Sequence, residues 1–235
     1  MWLTLLACKT MKKTYSDAFF RKIDPSKKYA WHWIPSEGKS GGILCGVNLE
    51  KFDVIHFSEG NFSLSATMQC KKEKKKLLLV SIYCPAHDEN KEEFITELSQ
   101  ICHKRSCPML MGGDFNIMRY SSDKNKPFSP NKYSDLFNWM INTYELRDLN
   151  LNGGNYTWSN NQDFPTLERL DRILMSEDWE NLFPLSTLKK IPREFSDHNP
   201  LLLCTDHERT KSSKPFCFEN AWLKHHDFLP KIKEI

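Results

Sequence analysis

The sequence has no marked charge excess, no paired-cysteine metal motif and no apolar run long enough to cross a membrane. Its 33 basic and 30 acidic residues leave a formal charge of +3, which permits a polyanionic partner without requiring one. The eight cysteines (Cys8, Cys45, Cys70, Cys84, Cys102, Cys107, Cys204 and Cys217) are dispersed, and no two stand in C-x-x-C spacing. That argues against a structural zinc site and a disulfide framework, and for buried thiols in a reducing compartment. The opening MWLTLLACKT is apolar but has neither a basic leader nor a cleavage pattern. It falls well short of the about 20 residues a membrane helix needs, so it reads as a strand at a sheet edge. A nucleotide-binding P-loop is also lacking: Gly38-Lys39-Ser40 resembles its end, but Trp33 stands where its first glycine belongs. No internal repeat is present.

What remains is an ordinary globular composition, 40% hydrophobic and 12% aromatic over 235 residues, enough for one large domain with a substantial core. Strand and helix patterns alternate along it. Residues 15–23 pattern as a short helix, 41–47 as a buried run, and Phe62, Leu64, Ala66 and Met68 alternate with polar neighbours. Lys71-Lys72-Glu73-Lys74-Lys75-Lys76 separates that strand from LLLVSIY. Such a run reads either as a solvated hairpin turn or as a contact for a nucleic-acid backbone. Residues 88–105 form the clearest helix, with Asp88 placed to cap it, and the strand PMLMGG follows. A second helix is expected over 131–143, burying Leu136, Phe137, Met140 and Ile141. Further strands are expected over 167–175, around 185–191, and over 200–205. From about His207 the composition becomes polar and rich in Ser, Lys and Pro, as in a linker.

Five short segments bear on candidate chemistry. Asp114 and Asn116, in Gly112-Gly113-Asp114-Phe115-Asn116 after the PMLM strand, lie two residues apart and project to the same side of an extended chain. A carboxylate and an amide there suit a metal–water–phosphate site; a turn using both for local backbone bonds is the plain alternative. Ser196-Asp197-His198-Asn199-Pro200 precedes the apolar LLLC, offering a metal-binding carboxylate beside an imidazole. Asp171, within Arg169-Leu170-Asp171-Arg172, is placed to orient His198 by accepting from its Nδ1–H, or else to pair with a neighbouring arginine. Tyr83 closes LLLVSIY, where a phenol meets a phosphate or simply covers an edge. The tryptophan of Tyr156-Thr157-Trp158-Ser159 belongs either to the core or to the rim of a site.

Taken in order, IYCP, GGDFN, YTWSN, RLDRIL and SDHNP resemble the endonuclease/exonuclease/phosphatase superfamily, which includes apurinic-site endonucleases and DNase I-like nucleases. The linking segments GGILCGV and LNGGNYTWSN and the tail PFCFENAWLKHHDF resemble the endonuclease part of plant non-LTR retrotransposon polyproteins, in which a reverse transcriptase follows. The resemblance spans nearly the whole chain. It implies an α/β fold, a four-layer DNase I-like sandwich of two facing mixed β-sheets flanked by helices. It also implies hydrolysis of DNA phosphodiesters with Mg2+ (or Mn2+). Carried over by motif, Asp114 would orient the attacking water, Asn116 would contact the phosphate or the metal environment, and Asp197 would be a metal carboxylate. His198, held by Asp171, would bind or protonate the phosphate group, and Tyr83 would touch it. Residues 1–207 would form the domain and 208–235 a linker and tail leading towards a reverse transcriptase. A monomer acting inside the cell, in the nucleus and away from membranes, is the expected context.

Two departures from the family pattern stand out. The family opens with a strand carrying a metal-site asparagine, and no residue before Met1 supplies it, so the first strand is expected to be missing. The next family motif, glutamine-glutamate-threonine, falls on Cys8-Lys9-Thr10, placing Lys9 where the principal metal-binding glutamate belongs. Replacing a carboxylate by an ammonium removes a ligand and reverses a charge interaction of about 4 kcal/mol at about 4 Å and an effective dielectric of about 20. Two readings therefore stay open, a working endonuclease and a catalytically impaired relic that binds nucleic acid. A phosphatase for small phosphoesters is disfavoured by the retroelement-like linkers.

Overall fold

The computed structural model describes residues 5–10, 12–36, 41–193 and 196–205, with the backbone alone for residues 5–9. The chain runs β1 (Leu5–Thr10), α1 (Asp17–Ile23), β2 (Tyr29–Ile34), β3 (Gly42–Asn48), β4 (Phe52–Glu59), β5 (Ser63–Cys70) and β6 (Lys76–Tyr83). It continues through α2 (Lys91–Lys104), β7 (Met109–Asp114), α3 (Lys132–Thr143), β8 (Arg147–Asp148), β9 (Leu151–Asn152) and β10 (Trp158–Ser159). The last elements are β11 (Leu167–Glu168), β12 (Asp171–Met175), α4 (Glu177–Leu182), β13 (Thr187–Lys190) and β14 (Leu201–Cys204). The expected tail, 208–235, lies outside the described residues.

A six-stranded mixed sheet, ordered β4-β5-β6-β7-β12-β8, forms the centre. Its strands β6 and β7 are buried almost throughout, as apolar runs covered on both faces should be. One face carries α2 and α3: Phe94 and Leu98 from the first helix and Phe137 and Met140 from the second meet Val80, Met111 and Leu174. Full burial of such side chains stabilises by roughly 1.5–3 kcal/mol each. The other face packs Leu64, Ala66, Leu79 and Leu110 against Cys45 and Val47 of β3, Leu188 of β13 and Leu203 of β14. The facing layer is built from two three-stranded sheets, β1-β3-β2 and β14-β13-β9. Outside it, Phe20 of α1 stacks on Trp31 at 5.5 Å, and Tyr15 meets Trp33 edge-on at 5.5 Å. The expected four-layer sandwich is thus present. Among the described residues β1 and β14 are edge strands, and β1 pairs with β3 alone.

Some local expectations are corrected. Asp88 does not cap α2; a single 3-10 turn over Asp88–Asn90 comes first, and the Asp88 carboxylate pairs with Lys91 at 2.7 Å instead. Leu136 is 38% exposed, because the buried stripe of α3 runs through Tyr133, Phe137, Met140 and Ile141 and leaves it at the margin. The strand expected over 167–175 is broken into β11 and β12. The lysine run is the solvated turn between β5 and β6, at the end of β6 away from Tyr83 and about 23 Å from it by strand length.

Candidate active site

The central sheet lines up three of the singled-out residues in one row. β6 and β7 run parallel with Tyr83 beside Asp114, and β12 runs antiparallel to β7 with Asp171 beside Asp114. Register partners project to the same face of a sheet. Gly113 lets the strands close up here: a Cβ would lie 2.1 Å from the Ile82 carbonyl oxygen, and its φ of +147° is open only to glycine. Asp114 is 5% exposed and Tyr83 is buried against the inter-sheet core.

Past Asp114 the chain turns through Asn116, whose φ is +47°. The Asn116 N–H donates to Asp114 Oδ1 (3.1 Å), and its side-chain amide donates to Asp114 Oδ2 (3.1 Å) and to the Cys84 carbonyl (2.6 Å). The turn and the site are therefore one structure, since the local bonds that make the turn also fix the Asp114 carboxylate. Both amide hydrogens are committed, so Asn116 retains its carbonyl oxygen for further contacts.

The loop carrying His198 closes over this row. Ser159 N–H donates to the Asp197 carbonyl (3.1 Å) and Asn199 N–H to the Thr157 carbonyl (2.7 Å). His198 Nδ1 lies 2.8 Å from Asp171 Oδ2, while Nε2 stands 3.8 Å from Asp114 Oδ2. An acceptor on Nδ1 fixes the tautomer that carries its proton there. Burial, the largest single influence, pulls the His198 pKa down. The hydrogen bond and charge of Asp171 and the charges of Asp114 and Asp197 outweigh it, and the pKa is raised above the ordinary histidine value.

The neighbouring arginines do not compete for Asp171. Arg169 reaches Asp148 at 3.0 Å, Arg172 reaches Asp148 at 2.7 Å and also pairs with Asp123, and Arg119 reaches Asp148 at 2.8 Å. Each arginine has other acids, which leaves Asp171 to the imidazole. Asp197, though next to His198 in sequence, is exposed and accepts from the Trp158 indole N–H at 2.8 Å. The structure therefore gathers Asp114, Asn116, Asp171 and His198, sets Tyr83 beside them, and turns Asp197 towards Trp158. Sequence reasoning missed Asp123, Asp148 and Arg119, for which no local signal exists, and Thr157, whose 0% exposure was foreshadowed only by its place in YTWSN.

Asp114, Asp171 and His198 each offer a ligand atom, all within 4.8 Å of one another. The two carboxylates are hard oxygen donors of the kind a small dication takes. Ionised carboxylates keep acceptor capacity beyond the bonds described, so the donor set fits a divalent metal. Lys9 of β1 is in register with Ile43 of β3; its side chain lies outside the described residues.

A four-layer α/β sandwich with an Asp–His pair and a Gly-Gly-Asp turn at one end of its facing sheets defines a DNase I-like phosphodiesterase class. Within that class the chain belongs to the endonuclease–reverse transcriptase family, whose model matches residues 77–202. Among solved structures it is similar to the endonuclease domain of TRAS1, a telomere-specific non-LTR retrotransposon, at 16% identity and a TM-score of 0.63, covering 85% of this chain and 83% of that one. An endonuclease/exonuclease/phosphatase from Bacteroides vulgatus gives 16% identity, TM-score 0.59 and coverages of 85% and 83%. TDP2 from D. rerio, complexed with a single-strand DNA product, gives 13%, 0.55, 85% and 84%. At such identities the likeness shows the fold. No curated protein matches the chain.

Proposed function

We propose that this chain is a divalent-metal-dependent endonuclease domain of a retroelement, acting on DNA phosphodiesters and weakened by Lys9. The observation that carries this reading is His198, held through Nδ1 by Asp171 at 2.8 Å and facing Asp114 with Nε2. A carboxylate-bound imidazole of raised pKa holds its second proton to higher pH than a free histidine does and can deliver it from Nε2 to a phosphate oxygen. Asp114, fixed by the Asn116 amide, orients water. Tyr83 flanks the row. Asp197 supplies negative charge at the rim and would offer a metal carboxylate on release from Trp158. A magnesium or manganese ion held by Asp114 and its oxygen neighbours would neutralise phosphate charge and favour ionised water.

DNA as substrate is supported by the family match and by the DNA product held by the D. rerio structure. The plant origin, the monomeric state and a nuclear site of action belong to the same proposal. No helix among the described residues is long and apolar enough to cross a membrane. The test is magnesium-dependent nicking of supercoiled plasmid. Weak nicking is expected from the wild type, reduced about a hundredfold or more in His198→Ala. Nicking that survives His198→Ala unchanged would remove the proposed role.

A further inference from the structure

Asp171 and His198 lie 27 residues apart in sequence and meet through one side-chain bond. Their encounter depends on how two backbone segments are held, and both are held by Thr157. This residue is fully buried, at 0% exposure. Its N–H donates to the Glu168 carbonyl at 2.9 Å, and its own carbonyl accepts from Asn199 N–H at 2.7 Å. Its hydroxyl oxygen accepts from two consecutive backbone donors, Leu170 N–H at 3.1 Å and Asp171 N–H at 3.0 Å.

That last pair is unusual for a strand. Successive N–H groups of an extended chain point to opposite sides, so one oxygen receives both only where the chain bends. The bend is the break between β11 and β12 that interrupts the strand expected over 167–175. It lies at the residue whose carboxylate must reach His198. Of its two converging donors the Leu170 N–H is buried and the Asp171 N–H part-buried, and without an acceptor each would carry a desolvation cost.

We propose that Thr157 is a positioning residue: its hydroxyl holds the Leu170–Asp171 bend that aims Asp171 at His198 Nδ1, while its carbonyl fixes the loop carrying His198. The catalytic consequence rests on the proposed hydrolase reading; the geometric one does not. Packing alone would be served as well by valine, which has the same shape but no acceptor. Positioning requires the oxygen, so serine should suffice and valine should fail.

The experiment uses the full chain labelled with 15N-histidine, with the His198 signals assigned by their loss in His198→Ala. At a pH above the His198 titration, wild type and Thr157→Ser should show the neutral ring with its proton on Nδ1, and with that proton slow to exchange. Thr157→Val should show mixed tautomers and lose the slowly exchanging proton, with nicking about tenfold or more slower at unchanged DNA affinity. A folded Thr157→Val protein that keeps the wild-type tautomer and proton overturns the proposal. Should valine prevent folding, hydrogen exchange in the wild type decides: protected Leu170 and Asp171 amides support the proposal, and exchange at open-chain rates overturns it. Absence of nicking in the wild type together with the expected tautomer change would retire the hydrolase reading and leave the positioning role supported. Normal nicking by Thr157→Val would retire the positioning role alone.

Discussion

Asp171 and Arg172 are neighbours in the chain on opposite faces of β12, and they keep charge inside the protein in different ways. Arg172 is 0% exposed, and its guanidinium joins Asp123 to Asp148, the second of which also holds Arg119 and Arg169. Three guanidinium groups and two carboxylates lock one another, and burial pulls the Arg172 pKa down against the charges of Asp148 and Asp123. Asp171 is half-buried and meets a partner that titrates. The first arrangement fixes a strand and a loop. The second keeps a proton close to solvent, where it can be given up. Two charged residues of one short motif thus serve rigidity on one side and, in the proposed function, chemistry on the other.

The largest expected effect breaks the rigid side. Arg172→Ala leaves Asp123 and Asp148 under-compensated in the interior, and stability should fall by about 3–5 kcal/mol in urea unfolding. A loss below about 1 kcal/mol would make the two faces of β12 alike. Asp171→Asn should do the reverse, leaving the unfolding midpoint nearly unchanged while slowing nicking about a hundredfold or more. In the same variant, NMR titration of metal-free protein should find the His198 pKa lowered, because the bond and charge of Asp171 no longer oppose burial.

A smaller effect follows from linkage. The His198 pKa is raised in the folded protein, so its contribution to stability is fully present below about 6.5, the unfolded value. That contribution is lost as pH rises through the folded value. The stability gap between wild type and His198→Ala should therefore narrow as pH is increased above about 6.5, measured by thermal unfolding without metal. The smallest effect belongs to the lysine turn. Lys75→Glu is exposed and remote from Asp114, so it should change stability by no more than about 0.5 kcal/mol and leave nicking intact. A large drop in nicking would restore the backbone-contact reading of that turn.

The sequence made the fold class legible and marked the segments that meet at the site. GGDFN and SDHNP each allowed a plain turn beside the chemical reading, and their order with IYCP, YTWSN and RLDRIL carried the resemblance; the Asp171–His198 pairing follows from what an imidazole needs. Leu64, Ala66 and Met68 announce β5 by strict alternation. Where burial is partial the pattern fades: β2 is half-buried throughout and β4 is largely exposed, and neither was marked. The six residues of α4 bury Trp179 but are too few to show a helical period. The turn of Asp197 towards Trp158 and the capture of Arg172 by Asp123 and Asp148 depend on contacts across distant segments, which spacing does not encode. For Asn116 the sequence posed turn and site as alternatives, and the same hydrogen bonds serve both.

The most direct measurement places Lys9→Glu in the protein, with and without His198→Ala, and follows magnesium-dependent plasmid nicking. The account predicts that Lys9→Glu nicks faster than wild type and that adding His198→Ala removes the gain. Nicking by the double variant at the rate of Lys9→Glu alone would contradict it.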